Sequence, residues 1–156
     1  MILEYYKIRE NAKTPQRANP SDAGLDVFWC PTNQDIQDMD IPPENNHMFE
    51  TGLKFGIPHG YALLVCNRSG IAANASMVYG AHVIDSGYNG EVFIDLHNIG
   101  DKTVRFKPGQ KIAQLLLVPV VPFRLSERSE DNLYRDQITI SNRGEGSLGS
   151  TDEKQA

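Results

Sequence analysis

The chain has 156 residues, enough for one domain around a single core, with 40% apolar and 22% charged residues, a soluble globular composition. Lys plus Arg is 15 and Asp plus Glu is 20, so the formal charge of −5 excludes a broad basic face for nucleic acid, though not a few arginines gathered around one small anion. Cys30 and Cys66 stand far apart with no CxxC, which excludes a disulfide framework and reads as two buried thiols in a reducing compartment.

The N-terminus, "MILEYYKIRE", has no basic region followed by an apolar stretch, so no signal peptide is expected. "FETGLKFGI" (49–57) alternates loosely, as a strand would, and "YALLVCN" (61–67) is apolar throughout, as a strand buried on both faces would be. "NRSGIAANAS" (67–76) is the one helical candidate, Ala-rich with Ser69 as its N-cap. "EVFIDLHN" (91–98) alternates, placing Val92, Ile94 and Leu96 on one face and Phe93, Asp95 and His97 on the other. "KPGQKIAQLLLVPV" opens with Pro108-Gly109, the pair favoured at the centre of a type II turn. Its apolar run, 112–121, contains a glutamine and a proline and is about half the roughly 20 residues of a membrane helix. Many short runs punctuated by glycine predict an all-β sandwich or jelly roll spanning 1–140. The polar, Gly- and Ser-rich stretch 141–156 reads by itself as a disordered arm.

Four stretches carry groups suited to chemistry. In "HVIDSGYNGE" (82–91) an apolar run ends on Asp85, and Tyr88 follows two small residues later. An acid and an aromatic at a hairpin satisfy that pattern, and so do a general base and a phenol packed flat against a substrate ring. "RSG" (68–70) leaves a buried strand and enters the helical candidate; Arg68 there is either a solvated arginine or, beside free backbone N–H groups, a phosphate ligand. Gln114 shares a strand face with Ile112, Leu116 and Val118, where its amide needs a partner, structural or ligand. "RGEGSLGST" (143–151) offers glycine N–H groups with Arg143, Ser150 and Thr151 as donors for a triphosphate, but lacks the lysine of a P-loop.

Read together, "DAGLDVF" (22–28), "RSG" (68–70), "GAHVIDSGYNGE" (80–91), "PGQKIAQL" (108–115) and "RGEGSLGST" (143–151) occur in a fixed order over nearly the whole chain. In that order and spacing the sequence resembles the trimeric dUTP pyrophosphatases (dUTPases). The resemblance implies an all-β jelly roll forming a homotrimer with a swapped C-terminal arm, and Mg2+-dependent hydrolysis of dUTP to dUMP and pyrophosphate. It implies Asp85 as the base acting on water at the α-phosphorus, and Tyr88 beneath the deoxyribose. It implies Arg68, Ser69 and Gly70 as a phosphate-binding turn, Gln114 at the α-phosphate, and a hairpin from Gly80 through His82 and Val83 that reads uracil. Arg143, Leu148, Gly149, Ser150 and Thr151 fall on the arm that closes over a neighbouring subunit's substrate.

The resemblance also implies few protein ligands for the metal. Mg2+ would be held by the triphosphate and water, with Asp26 reaching it through water. No nucleic-acid or membrane partner is implied, and the location would be the cytoplasm, or the host-cell cytoplasm for a viral protein. Four positions depart from the family pattern: His82 for a frequent glycine, Leu148 for an aromatic that stacks on the base, Ser147 for a glycine, and Asn89 for a frequent arginine. The first two bear on the base, so the alternatives are a same-fold pyrophosphatase with another base preference and a non-catalytic nucleotide-binding regulator.

Overall fold

The computed structural model describes residues 1–133. Within them Met1–Pro122 forms a compact unit of eleven strands and one short helix, and every strand pairing is antiparallel. Two small ribbons pair β1 (Glu4–Lys7) with β5 (Leu53–Gly56) and β3 (Met39–Ile41) with β10 (Val104–Phe106). A three-stranded sheet runs in the order β4 (Asn46–Glu50), β9 (Phe93–Asn98), β7 (Met77–Tyr79). The four-stranded sheet runs β2 (Leu25–Phe28), β11 (Lys111–Pro119), β6 (Tyr61–Cys66), β8 (Val83–Asp85). The helix α1 (Ser69–Ala75) follows β6. A second unit, Phe123–Ala156, has one short helix among its described residues, α2 (Glu130–Leu133), with no buried side chain.

The all-β expectation holds, and most of the predicted runs became strands. The apolar run at 61–67 is β6, an interior strand whose Ala62, Leu63 and Val65 are buried. The alternation at 91–98 is β9, with Ile94 and Leu96 buried and Phe93 exposed. Around them lies one core. Trp29 meets Phe49 edge-on at 5.2 Å between ring centroids, and Phe49 meets Phe106 at 4.8 Å. Truncating such a ring to alanine costs about 3–5 kcal/mol, because lost transfer and a residual cavity add. Lys107 to Gln110 form the expected turn: Gly109 has φ +78°, and Gln110 N–H donates to Lys107 O at 3.0 Å.

Three local expectations fail. Residues 49–57 are two strands rather than one, broken at Thr51-Gly52. Thr51 Oγ donates to Val92 O at 2.6 Å, and Gly52 adopts φ +70°. A Cβ at residue 52 would also lie 2.8 Å from that of Ala12. The alternation of β11 is interrupted by a bulge between Lys111 and Ala113, so Ile112 turns into the core beside Ala113 and Leu115 while Gln114 faces the other way with Lys111. Of the two free cysteines only Cys30 is buried; Cys66 at the end of β6 is partly exposed. The expected boundary after residue 140 and the arm residues Arg143, Leu148, Gly149, Ser150 and Thr151 lie outside the described residues.

Candidate active site

Two clusters of predicted residues are built from strands of the four-stranded sheet and the segments that continue them. The first is ionic. Asp26 on β2 faces Gln114 of β11 across the ladder. Its carboxylate accepts from Arg68 Nε at Oδ1 (2.9 Å) and meets Lys111 Nζ at Oδ2 (2.6 Å). Asp26 is 12% exposed at its side chain, against 31% for Arg68 and 29% for Lys111. A nearly buried carboxylate thus anchors the stems of two cations whose remaining N–H donors stay near solvent, which suits them to an incoming anion.

Gln114 sits beside this cluster. Its Nε2 donates to Asn67 O at 2.8 Å, and its Oε1 lies over Gly24, where any Cβ would collide with it. A primary amide has two N–H donors, so one is committed to the backbone and the other has no partner among the described residues. Asn67 ties the cluster to β7 by accepting from Tyr79 N–H at 3.0 Å. Ser69, expected as the N-cap, is instead the first helical residue. Arg68 is the N-cap, extended at φ −87° and ψ 132° with no side-chain cap, since a guanidinium has no acceptor to offer; it donates instead to Asp26. Its carbonyl accepts from the N–H groups of Ile71 and Ala72, and Ser69 and Gly70 are exposed at the start of the helix.

The second cluster is the hairpin. Asp85 ends β8 opposite Ala62 of β6, and Tyr88 N–H donates to Asp85 O at 3.1 Å, closing a four-residue turn through Ser86 and Gly87. Both side chains are exposed on the wall of a cavity of about 230 Å3, which His82, Val83, Glu91 and Met48 also line. Tyr88 does not wave free. Its hydroxyl donates to Glu91 O at 2.8 Å, and the ring lies back over Gly90, where a Cβ would stand 2.6 Å from Cζ. A side chain at position 90 would therefore push the Tyr88 ring out of this place.

His82 lies on the same wall. Its carbonyl accepts from Val65 N–H at 2.8 Å, fixing the backbone, and its ring leans on Tyr79 with centroids 5.5 Å apart and planes tilted by 50°. Gly80 donates its N–H to Asp95 O at 2.9 Å and crosses directly above the Asp95–His97 pair. A Cβ on Gly80 would lie 2.7 Å from His97 Nε2. Sequence reading missed two members of the ionic cluster, Lys111 and Asn67. Lys111 was hidden by the bulge that puts it on the face of Gln114, and only the pairing of a lysine with a glutamine three residues on hinted at it.

Among the described residues no cluster of three His, Cys, Asp or Glu side chains is placed to hold a metal ion. Both oxygens of Asp26 already face cations, which fits accepting a hydrogen bond from a metal-bound water better than displacing that water. Among the described residues no helix is long and apolar enough to cross a membrane.

The family model described as dUTPase matches residues 10–151. The chain is 32% identical over 151 residues to the deoxyuridine 5'-triphosphate nucleotidohydrolase of Clostridium tetani, covering 96% of this chain and 95% of that one. Among solved structures it resembles a dUTPase variant of Staphylococcus bacteriophage 80alpha with dUpNHpp. That match has a TM-score of 0.80 and 25% identity, and covers 96% of this chain and 98% of the other. It also resembles a variant of the dUTPase from phage phi11 of S. aureus, described with a structural Mg(II) ion. There the TM-score is 0.73 and the identity 25%, over 83% of this chain and 98% of the other.

Proposed function

The chain belongs to the dUTPase family and hydrolyses dUTP to dUMP; we propose that Asp85 is the general base of that reaction and that Arg68, Gln114 and Tyr88 hold the nucleotide. The observation that carries this reading is the hairpin that sets Asp85 and Tyr88 on one cavity wall. Arg68 and Gln114 lie at the other end of β6, roughly 13 Å or more away at about 3.3 Å per residue, and so would serve the nucleotide of a neighbouring subunit in the trimer. Asp85 takes a proton from the water that attacks the α-phosphorus, and pyrophosphate leaves. Charge developing on the phosphoryl oxygens is met by Arg68 and the Gln114 amide of a neighbouring subunit, groups already oriented before substrate arrives. The exposed Tyr88 ring forms the wall under the deoxyribose, where a 2′-hydroxyl would have no room. The backbone from Gly80 through Val83 reads the uracil edge. Arg143, Leu148, Gly149, Ser150 and Thr151 close over the triphosphate.

Mg2+ would be held by triphosphate oxygens and water, with Asp26 placed to accept from the water. When bound it neutralises charge on the leaving pyrophosphate. A homotrimer is supported by apolar surface on the compact unit. Met1, Ile2, Tyr6 and Val121 are exposed, and Leu25, Leu115 and Leu117 line an open hollow of about 420 Å3. The free cysteines fit a reducing location, the cytoplasm or that of a host cell.

Pyrophosphate release from dUTP, dCTP, dTTP and UTP, with and without Mg2+, tests the reading. Release confined to dUTP and abolished by chelation is the expected result. Equal release from dCTP or dTTP would move the protein to another base preference, and no release from any nucleotide would make it a binding protein.

A further inference from the structure

Tyr88 is 46% exposed, so little packing fixes its ring. What holds it is the hydrogen bond from its hydroxyl to Glu91 O and the bare backbone of Gly90 beneath. A wall that excludes a hydroxyl by contact is only as selective as it is stiff, because a ring free to swing aside admits the larger sugar. The stiffness of Tyr88 therefore passes to whatever fixes the backbone of Glu91.

That backbone is fixed through its own side chain. Glu91 Oε1 accepts from Gly52 N–H at 2.7 Å and from Arg9 Nη2, and Oε2 accepts from Arg9 Nη1 at 3.1 Å. Arg9 is in turn held by Cys30 O at 2.8 Å from Nη2. The side chains are 16% and 14% exposed, and the pair joins segments 82 residues apart. Stability alone explains it poorly. Desolvating two charges largely cancels their attraction, and Arg9 Nε is left buried with no hydrogen-bond partner among the described residues.

We infer that Arg9 and Glu91 are positioning residues for sugar discrimination, bracing from behind the carbonyl to which the Tyr88 phenol is hydrogen-bonded. The inference rests on the reading that Tyr88 lies under the deoxyribose. The chemistry of the substrate is unchanged by it; what the brace adds is rejection of the 2′-hydroxyl of a ribonucleoside triphosphate.

The test is kcat/KM for dUTP and for UTP in the full chain and in Glu91→Gln, Arg9→Met, Arg9→Lys, Tyr88→Phe and Tyr88→Ala, each first shown to be folded by circular dichroism. Glu91→Gln is nearly isosteric and keeps the acceptor for Gly52, so it remains informative where Arg9→Met fails to fold. UTP turnover relative to dUTP is expected to rise roughly 2–10-fold in Glu91→Gln and in Tyr88→Phe, the range one hydrogen bond of orientation supports. The double variant should rise no further, because both changes loosen the same ring, and Arg9→Lys should lie between wild type and Arg9→Met. A pair that only stabilises the fold would lower activity on both nucleotides alike and add to Tyr88→Phe, and either result overturns the inference. Unchanged discrimination in Tyr88→Ala would overturn the assignment of Tyr88 itself. Lost discrimination in Tyr88→Ala with none lost in Glu91→Gln would overturn only the brace.

Discussion

Arg68 Nε lies 2.9 Å from Asp26 Oδ1, a contact that joins the turn after β6 to the strand β2. Asp26 also meets Lys111, so one carboxylate sets the position of two cations. Replacing Asp26 by asparagine keeps the shape and removes the charge. The cost lies between the roughly 0–1 kcal/mol of an exposed pair and the roughly 3–5 kcal/mol of a buried one. KM for dUTP should rise more than kcat falls, which steady-state kinetics alongside urea denaturation will show. An unchanged KM would leave Asp26 with a purely structural role.

Asp85→Asn should lower kcat by about 10²–10⁴-fold while nucleotide binding survives, since general-base catalysis contributes on that order. Near-normal turnover would remove Asp85 from the chemistry. Mixing this variant with chains ending at residue 140 extends the test to the assembly, because recovered activity requires a site shared between subunits.

Gly24→Ala places a methyl where Gln114 Oε1 sits, and 3.1 Å from Gln114 Cβ. Since Gln114 is anchored to Asn67 O, the amide must leave that bond to make room. A drop in kcat/KM with a nearly unchanged melting temperature is expected. Full activity would show that the orientation of Gln114 is unimportant to the reaction.

His82→Gly removes the ring that leans on Tyr79 and lines the cavity. Weaker dUTP binding and poorer rejection of dTTP or dCTP are expected if that ring narrows the base slot, and isothermal titration with each nucleotide measures both. Identical affinities would leave recognition to the backbone alone.

Arg105 donates to Asp40 from Nε (2.6 Å) and Nη2 (2.7 Å) across the β3–β10 ribbon. These hydrogen bonds hold the Asp40 carboxyl below its ordinary 3.8. The pair's contribution is therefore present above about pH 3.8 and is lost as pH falls through the lowered folded-state value. Both groups lie at the surface, so the effect is small. Arg105→Gln should flatten the acid limb of the stability curve below that pH and leave neutral stability nearly unchanged; an unaltered acid limb would show that the contact has no weight.

The sequence made legible those features that depend on local pattern. Alternation in 91–98 and the unbroken apolar run at 61–67 each reported a strand, and Pro108-Gly109 reported its turn. What escaped were features decided by distant partners. No local signal announces the bulge at Ile112, since the extra residue is apolar and in place by either count. Arg68 is the N-cap instead of Ser69, and its side chain is committed to a carboxylate 42 residues earlier, a partner that no local pattern announces. Glu91 lay inside a quoted motif, yet its partner Arg9 stands 82 residues upstream in a segment without motif character. Asp85 and Tyr88 could be placed on one hairpin because the turn between them is itself local.

All the residues lining the cavity except Met48 and Val65 come from one stretch, 81–93. On the proposed assignment, sugar and base preference would be nearly a cassette, separable from phosphate contacts at Arg68 and Gln114. Such a cassette invites grafting into another scaffold. The transplant would arrive incomplete, because Arg9 and the Gly52 N–H stay behind with the donor. A graft that carries arginine at the equivalent of position 9 is the minimal portable unit.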